Sequence, residues 1–84
     1  MIIYFIFSQE GFEEAKSDIL ADKATLWVNA DFLSDEHTVE LQQAGINVHT
    51  FPEKVNGSNE KSILQALKPI EEKNPEAEIL IEYL

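Results

Sequence analysis

The chain has 84 residues, 44% of them hydrophobic, so we expect one folded domain over residues 1–84. It contains no cysteine, which excludes disulfides and cysteine-ligated zinc. The apolar run at residues 2–7 is too short for a membrane span, which needs about 20 residues, and it lacks the basic flank of a secretory signal. We therefore predict a cytoplasmic protein that does not contact a membrane.

Charge is the strongest global signal in the composition. Sixteen Asp and Glu residues face six basic residues, all of them lysines, for a net charge of -10. Arginine, the usual bidentate reader of phosphate and guanine, does not occur in the sequence. Both features count against nucleic-acid binding and against an anionic membrane surface. They favour solubility and, more specifically, a surface that binds a protein partner of positive charge.

Strands alternate with helices along the whole chain. Six consecutive apolar residues at its start predict a strand covered on both faces, and periodic apolar stripes predict the helices. The predicted elements are strand 1 at Ile2–Phe7, helix 1 at Gln9–Asp22, strand 2 at Ala24–Ala30, helix 2 at Asp35–Ala44, strand 3 at Ile46–Phe51, helix 3 at Asn59–Lys73 and strand 4 at Glu78–Tyr83.

Cap and breaker residues set the predicted boundaries. Ser8, Ser34 and Ser58 precede the three helices and are expected to cap them. Gly45 follows helix 2 and is a good helix stop. Pro69 lies inside helix 3 and is expected to kink it or split it near residues 67–68.

The β-α-β-α-β-α-β order predicts a small α/β domain with a four-stranded, mostly parallel sheet and right-handed crossovers. Strand 3 is the most polar strand, so we place it at an edge and favour the order 3-2-1-4, with 2-1-3-4 as the alternative. The favoured order puts helices 1 and 2 on one face of the sheet and helix 3 on the other. The direction of strand 4 remains open.

Ligands of open α/β sheets bind at the loops that follow the carboxyl ends of the strands, so these loops would hold any cofactor or catalytic site. The turn before helix 1 has a single glycine, Gly11, and three glutamates crowd that helix end, so no nucleotide cofactor is predicted. His37 and His49 are not linked by spacing to a nucleophile and an orienting acid, so both are interpreted as structural.

Three carboxylates provide the one candidate metal site. Glu10, Asp31 and Asp35 would lie on the same rim of the sheet if strands 1 and 2 are neighbours. In that case the protein could be a divalent-metal-dependent phosphotransfer or hydrolytic enzyme. The simpler interpretation is that Glu10 and Asp35 serve the first turns of helices and Asp31 serves a turn.

Four residues are candidates for a protein interface: Trp27, Ile79, Ile81 and Tyr83. Trp27 is either core beneath a helix or, near an edge, an interface anchor. Ile79, Ile81 and Tyr83 belong to strand 4, which should lie at an edge and could pair with a second copy in a weak homodimer.

The sequence therefore favours a protein-binding or self-associating module without catalytic activity. The first alternative is the metal-dependent enzyme. A further alternative is an inhibitor that mimics DNA, in which two rows of carboxylates on one face replace the phosphates.

Overall fold

The computed structural model describes residues 1–82, which form four strands and three helices. The elements in chain order are β1 (Ile2–Ile6), α1 (Gln9–Asp22), β2 (Thr25–Val28), α2 (Asp35–Gln43), β3 (Val48–Thr50), α3 (Glu60–Lys73) and β4 (Glu78–Ile81).

The first two helices begin and end where their local sequence predicts. The hydroxyl of Ser8 accepts a hydrogen bond from the amide of Gly11, and that of Ser34 accepts one from His37. Gly45 follows α2 with φ of 85°, a left-handed conformation that favours glycine and ends the helix. The expected caps of α1 and α2 and the stop after α2 are thus confirmed.

The cap of α3 differs from the prediction. Asn59, not Ser58, caps this helix, and its side chain accepts from the amide of Ser62. The amide and the hydroxyl of Ser58 both donate to Oδ1 of Asn56, at 3.0 and 2.8 Å. This local turn uses Ser58 before the helix starts, because asparagine side chains readily bind backbone groups two residues on.

Pro69 does not split α3, which continues from Glu60 to Lys73. The missing amide of Pro69 would have donated to the carbonyl of Gln65, and both residues are exposed. Water can therefore satisfy that carbonyl, and the helix keeps its apolar side on the sheet.

The sheet has the order β3-β2-β1-β4, and its neighbouring strands are parallel. This confirms the 3-2-1-4 arrangement and excludes 2-1-3-4. It also settles the direction of β4, which runs parallel to β1 with Phe5 opposite Ile81. On the other side of β1, Phe5 lies opposite Trp27 of β2.

Two hydrophobic clusters cover the two faces of the sheet. The first packs Tyr4 and Ile6 against the buried residues of α1 and α2, and the second packs Ile3, Phe5 and Phe7 against α3. The apolar run of strand 1 is therefore buried on both faces, as its sequence predicts. The helices divide as expected, with α1 and α2 on one face and α3 on the other.

Strands 1, 2 and 3 are shorter than predicted. β2 ends at Val28, and the next residue, Asn29, is 1% exposed and hydrogen-bonds through its side chain to the loops after β1 and β3. β4 ends at Ile81, so strand 4 is also shorter than predicted, since Glu82 does not belong to it. Tyr83, the predicted end of strand 4, lies outside the described residues. Across residues 1–82, no helix has the length and apolar character needed to cross a bilayer.

Candidate functional site

The α3 face of the sheet is only partly covered. α3 connects β3 to β4, the two outer strands, so it crosses over β1 on its way. Its buried residues Ile63 and Ile70 pack with Phe5 in the second cluster. Within the described residues this is the one helix on a face of four strands, and it leaves the part above β2 and β3 open to a groove.

Two aromatic rings, those of Trp27 and Phe51, form the floor of this groove, and the ring of His49 on β3 lies beside it. Trp27 stacks on His49 with ring centroids 4.7 Å apart and an interplanar angle of 21°. Phe51 lies 5.6 Å from Trp27 and meets Phe5 edge-on at 5.2 Å. Phe51 is buried, Trp27 is half-buried and His49 is exposed, so the cluster runs from the core to the surface. Packing against Phe5 joins the inner end of this cluster to the core.

The groove has a cavity volume of about 420 Å³, which lies within the usual range for ligand-binding pockets, roughly 300–1,000 Å³. Its apolar lining comes from β2, the loop after β3, and α3. Seven apolar residues contribute: Trp27, Phe51, Pro52, Val55, Ala66, Pro69 and Ile70. The charged residues at its margin are Glu53, Lys54 and Lys73.

Lys54 is engaged by Asp31 at the mouth of the groove, where its Nζ lies 2.9 Å from Oδ2. The hydrogen bond from Lys54 lowers the pKa of Asp31. Both side chains are largely exposed, and such surface ion pairs contribute little to stability. The pair therefore lies at one end of the groove and adds little to the stability of the fold.

Asn29 fixes the loop that walls the groove. Its Nδ2 donates to the carbonyls of Val55 and Phe7, at 2.9 and 3.2 Å, and its Oδ1 accepts from the amide of Val55 at 2.8 Å. These bonds join the ends of β1 and β2 to the loop after β3. Both backbone groups of Val55 bond to this one side chain, and breaking the bonds would leave buried polar groups unpaired, which is costly. Asn29 therefore fixes the position of Val55.

The outer side of β3 adds a backbone surface to the groove. Asn47 and Phe51 bond to β2 through their main-chain groups, Asn47 by its carbonyl and Phe51 by its amide. Alternation along a strand then directs the amide and carbonyl groups of Val48 and Thr50 away from β2. In the part of the chain that the structure describes, no strand lies beyond β3.

A second polar arrangement lies at the start of α1. The amides of Phe7 and Ser8 donate to Oε1 of Glu82, at 2.8 and 3.2 Å, and the hydroxyl of Ser8 donates to Oε2 at 2.6 Å. The carboxylate after β4 thus occupies the amide-rich turn where a phosphate would bind in a nucleotide-binding fold. The sequence predicts crowding of this helix end by the glutamates of α1, whereas the contact is made by Glu82.

The structure places the predicted interface residues in different surroundings. Trp27 lines the groove and is half-buried, so it is neither fully covered by α3 nor fully exposed to solvent. Ile79 and Ile81 are half-buried against the α3 cluster, with β4 at the outer edge of the sheet as expected. Tyr83 lies outside the described residues.

The predicted metal residues are not brought together. Over residues 1–82, no three His, Asp or Glu side chains form a group that could hold a metal ion, so Glu10, Asp31 and Asp35 do not form one. Asp31 pairs with Lys54 instead, and Asp35 begins α2. This arrangement of the described residues does not favour the metal-dependent enzyme over the binding module.

Two important residues, Asn29 and Glu82, were not identified from the sequence. Asn29 had a weak signal, since a polar residue following an apolar strand often binds loop backbone. Glu82 had none, because its partners in the turn after β1 are 74 and 75 residues away.

Replacement of Glu82 by alanine should lower the free energy of unfolding by about 2 kcal/mol, because hydrogen bonds to a charged group contribute roughly 1.5–3 kcal/mol. Chemical denaturation followed by circular dichroism measures this loss. Glu78→Ala is the matched control, since Glu78 is an exposed acid at the start of β4, four residues before Glu82, and should change stability by less than about 0.5 kcal/mol. Equal losses in the two variants would contradict the role given to Glu82.

A substitution at Gly11 tests the same contact with Glu82, because its effect on stability should change sign when Glu82 is removed. Alanine normally stabilises a helix by about 0.5–1 kcal/mol relative to glycine, but here a Cβ would overlap the Glu82 carboxylate. Gly11→Ala should therefore destabilise the wild-type chain and stabilise the Glu82→Ala variant.

No protein-family model, no curated protein and no solved structure matches this chain, so its function is inferred from the geometry described above.

Proposed function

We propose that this domain binds an extended segment of another protein, without catalysing a reaction. The segment adds as a further strand along the outer side of β3 and places an apolar side chain in the groove beside α3. The observation that carries this proposal is the half-buried Trp27 in an apolar groove on the α3 face of the sheet, one strand in from the open backbone edge of β3. Strand addition of this kind obtains affinity from main-chain hydrogen bonds and specificity from pockets for alternate side chains.

The backbone edge of β3 is suited to such pairing. Val48 and Thr50 direct two amides and two carbonyls outward, and β3 contains no proline or lysine to block an approaching strand. The groove lies on the face to which His49 and Phe51 point, so a paired segment would project every second side chain toward it. Backbone pairing and side-chain burial are thus available to one ligand at once.

The acidic layer of α1 and α2 would be the binding surface in the second candidate function, the DNA mimic. Lys16 of α1 lies 2.7 Å from Glu40 of α2, so a cation interrupts the carboxylates between the two helices. Continuous rows of negative charge are what a DNA mimic needs, and we therefore rank strand binding first.

Tryptophan fluorescence tests the proposal directly, because Trp27 is the single tryptophan in the sequence. The probe is an eight-residue peptide that alternates lysine and valine, with phenylalanine at one valine position. Saturable binding should shift the emission of Trp27 and the amide resonances of β3. Light scattering without peptide, at the same concentrations, shows whether a second copy of the chain occupies an edge.

A proline at position 50 separates backbone pairing from general attraction. Thr50→Pro removes one outward amide and should weaken the peptide at least about tenfold, since one net hydrogen bond is worth roughly 1 kcal/mol and the ring also obstructs the edge. Thr50→Val keeps the amide and should bind as the wild type does. Undiminished binding by Thr50→Pro, or binding that leaves Trp27 unaffected, would refute strand addition at β3.

A further inference from the structure

The two helical layers of the domain differ sharply in charge. α1 contains five acids and one lysine, and α2 contains three acids and no lysine, so together they carry a net charge of −7. α3 contains three acids and three lysines, so its net charge is zero. The chain's negative charge is thus concentrated on the face of the sheet opposite the groove.

A strand added to β3 would present side chains on both faces of the sheet. β3 itself shows the two directions, since Val48 packs with the α1–α2 cluster while His49 stacks on Trp27 on the α3 side. Successive side chains of a neighbouring strand alternate in the same way. One set would therefore point toward the acidic layer and the other toward the groove.

We infer that the segment bound at β3 alternates basic and apolar residues, its basic side chains on the α2 side and its apolar side chains on the groove side. This inference rests on the proposed strand-binding function and adds the chemistry of the partner. The apolar side chains are inferred from the aromatic floor at Trp27 and Phe51. A charged side chain that covered these rings would lose its own hydration, which is costly. The basic set follows from α2, which packs on β3 and begins with Asp35 and Glu36.

The same charge pattern makes a second copy of the chain a poor occupant of this edge. Of the two outer strands that a second copy could offer, β4 begins with Glu78 and is followed by Glu82, and these two acids alternate with Leu80 on one side of the strand. Pairing β4 with β3 of another copy would require two chains of net charge −10 to approach each other. A distinct protein with a basic, alternating segment fits this edge better.

Peptides of matched composition test the pattern rather than the charge alone. The first alternates lysine and valine, and the second has the same residues in pairs, two lysines and then two valines. Nonspecific attraction is equal for both, so the alternating peptide should bind at least tenfold more tightly at 50 mM salt, measured by Trp27 emission. Equal affinities would overturn the inference while leaving strand addition intact.

Two further alternating peptides replace lysine by serine or by glutamate. Affinity should fall in the order lysine, serine, glutamate, and the difference should shrink at 500 mM salt, where the Debye length is about half of its physiological value. If serine binds as well as lysine, the basic half of the inference is wrong. If no alternating peptide binds at all, the proposed function fails with it.

A pair of double variants locates the basic contact. Asp35→Asn with Glu36→Gln removes two charges from α2 and should reduce the advantage of lysine over serine by at least threefold. Glu71→Gln with Glu72→Gln removes two charges from α3 and should leave that advantage unchanged. The opposite result would place the basic side chains on the groove side and overturn the assignment of faces.

Discussion

Replacing Phe5 by alanine should lower the free energy of unfolding by about 3–5 kcal/mol. Phe5 is 0% exposed, lies between Trp27 and Ile81 of the neighbouring strands, and meets the edge of Phe51. Alanine would leave a cavity at the centre of the sheet that no adjacent side chain can fill. A domain of this size has a total stability of roughly 4–13 kcal/mol, so the variant should be close to unfolding.

Urea denaturation measures the loss, with Leu64→Ala as the control. Leu64 is an apolar residue of α3 that is 54% exposed, so its truncation should change stability by less than about 0.5 kcal/mol. If Phe5→Ala does not fold, Phe5→Leu gives a smaller loss that can still be measured. A cost well under 1 kcal/mol for Phe5→Ala would mean that strand 1 is not at the centre of the core.

The architecture was predictable because its signals are local. An unbroken apolar run, Ile2–Phe7, identifies a strand buried on both faces, and the alternation in strand 3 identifies an edge. Those two assignments, together with the helix between each pair of strands, favour the order 3-2-1-4 over the alternative 2-1-3-4, and the structure confirms the favoured order. Serine caps and Gly45 set most helix boundaries for the same reason, since a cap acts within four residues of itself.

The candidate site was less predictable because it depends on contacts between distant residues. The groove exists because α3 joins two strands at opposite edges of the sheet, which leaves Trp27 half-covered even though β2 is an inner strand. The sequence relates the burial of Trp27 to the position of its strand in the sheet. In the structure, the burial of Trp27 depends as much on the position of α3. The partners of Asn29 and Glu82 depend on the complete fold, for which the sequence carries a weak signal at Asn29 and none at Glu82.

Replacing Asn29 by alanine should lower the free energy of unfolding by about 3–5 kcal/mol. The side chain makes three buried hydrogen bonds, and its loss leaves the amide and carbonyl of Val55 and the carbonyl of Phe7 without this partner. Each buried unpaired group costs roughly 1–3 kcal/mol, and partial entry of water reduces the sum. Asn47→Ala is the matched control, since Asn47 is exposed and should tolerate the change within about 0.5 kcal/mol.

Hydrogen exchange at a single amide shows whether this mechanism is correct. The amide of Val55 donates to Oδ1 of Asn29, so it should be protected in the wild type and exchange rapidly in Asn29→Ala. Asn29→Asp keeps that acceptor but turns an oxygen toward the carbonyls of Phe7 and Val55. Its cost should be greater at pH 7 than at pH 4, because only a protonated carboxyl can donate to one of them.

Loss of Asn29 should also weaken peptide binding in the groove, because Val55 walls it and the loop would no longer be fixed. At a temperature where Asn29→Ala remains folded, the alternating lysine–valine peptide should bind several-fold more weakly than to the wild type. Undisturbed affinity together with rapid exchange of Val55 would show that the loop is mobile without consequence for binding. The groove floor at Trp27 and Phe51, rather than its wall, would then account for recognition.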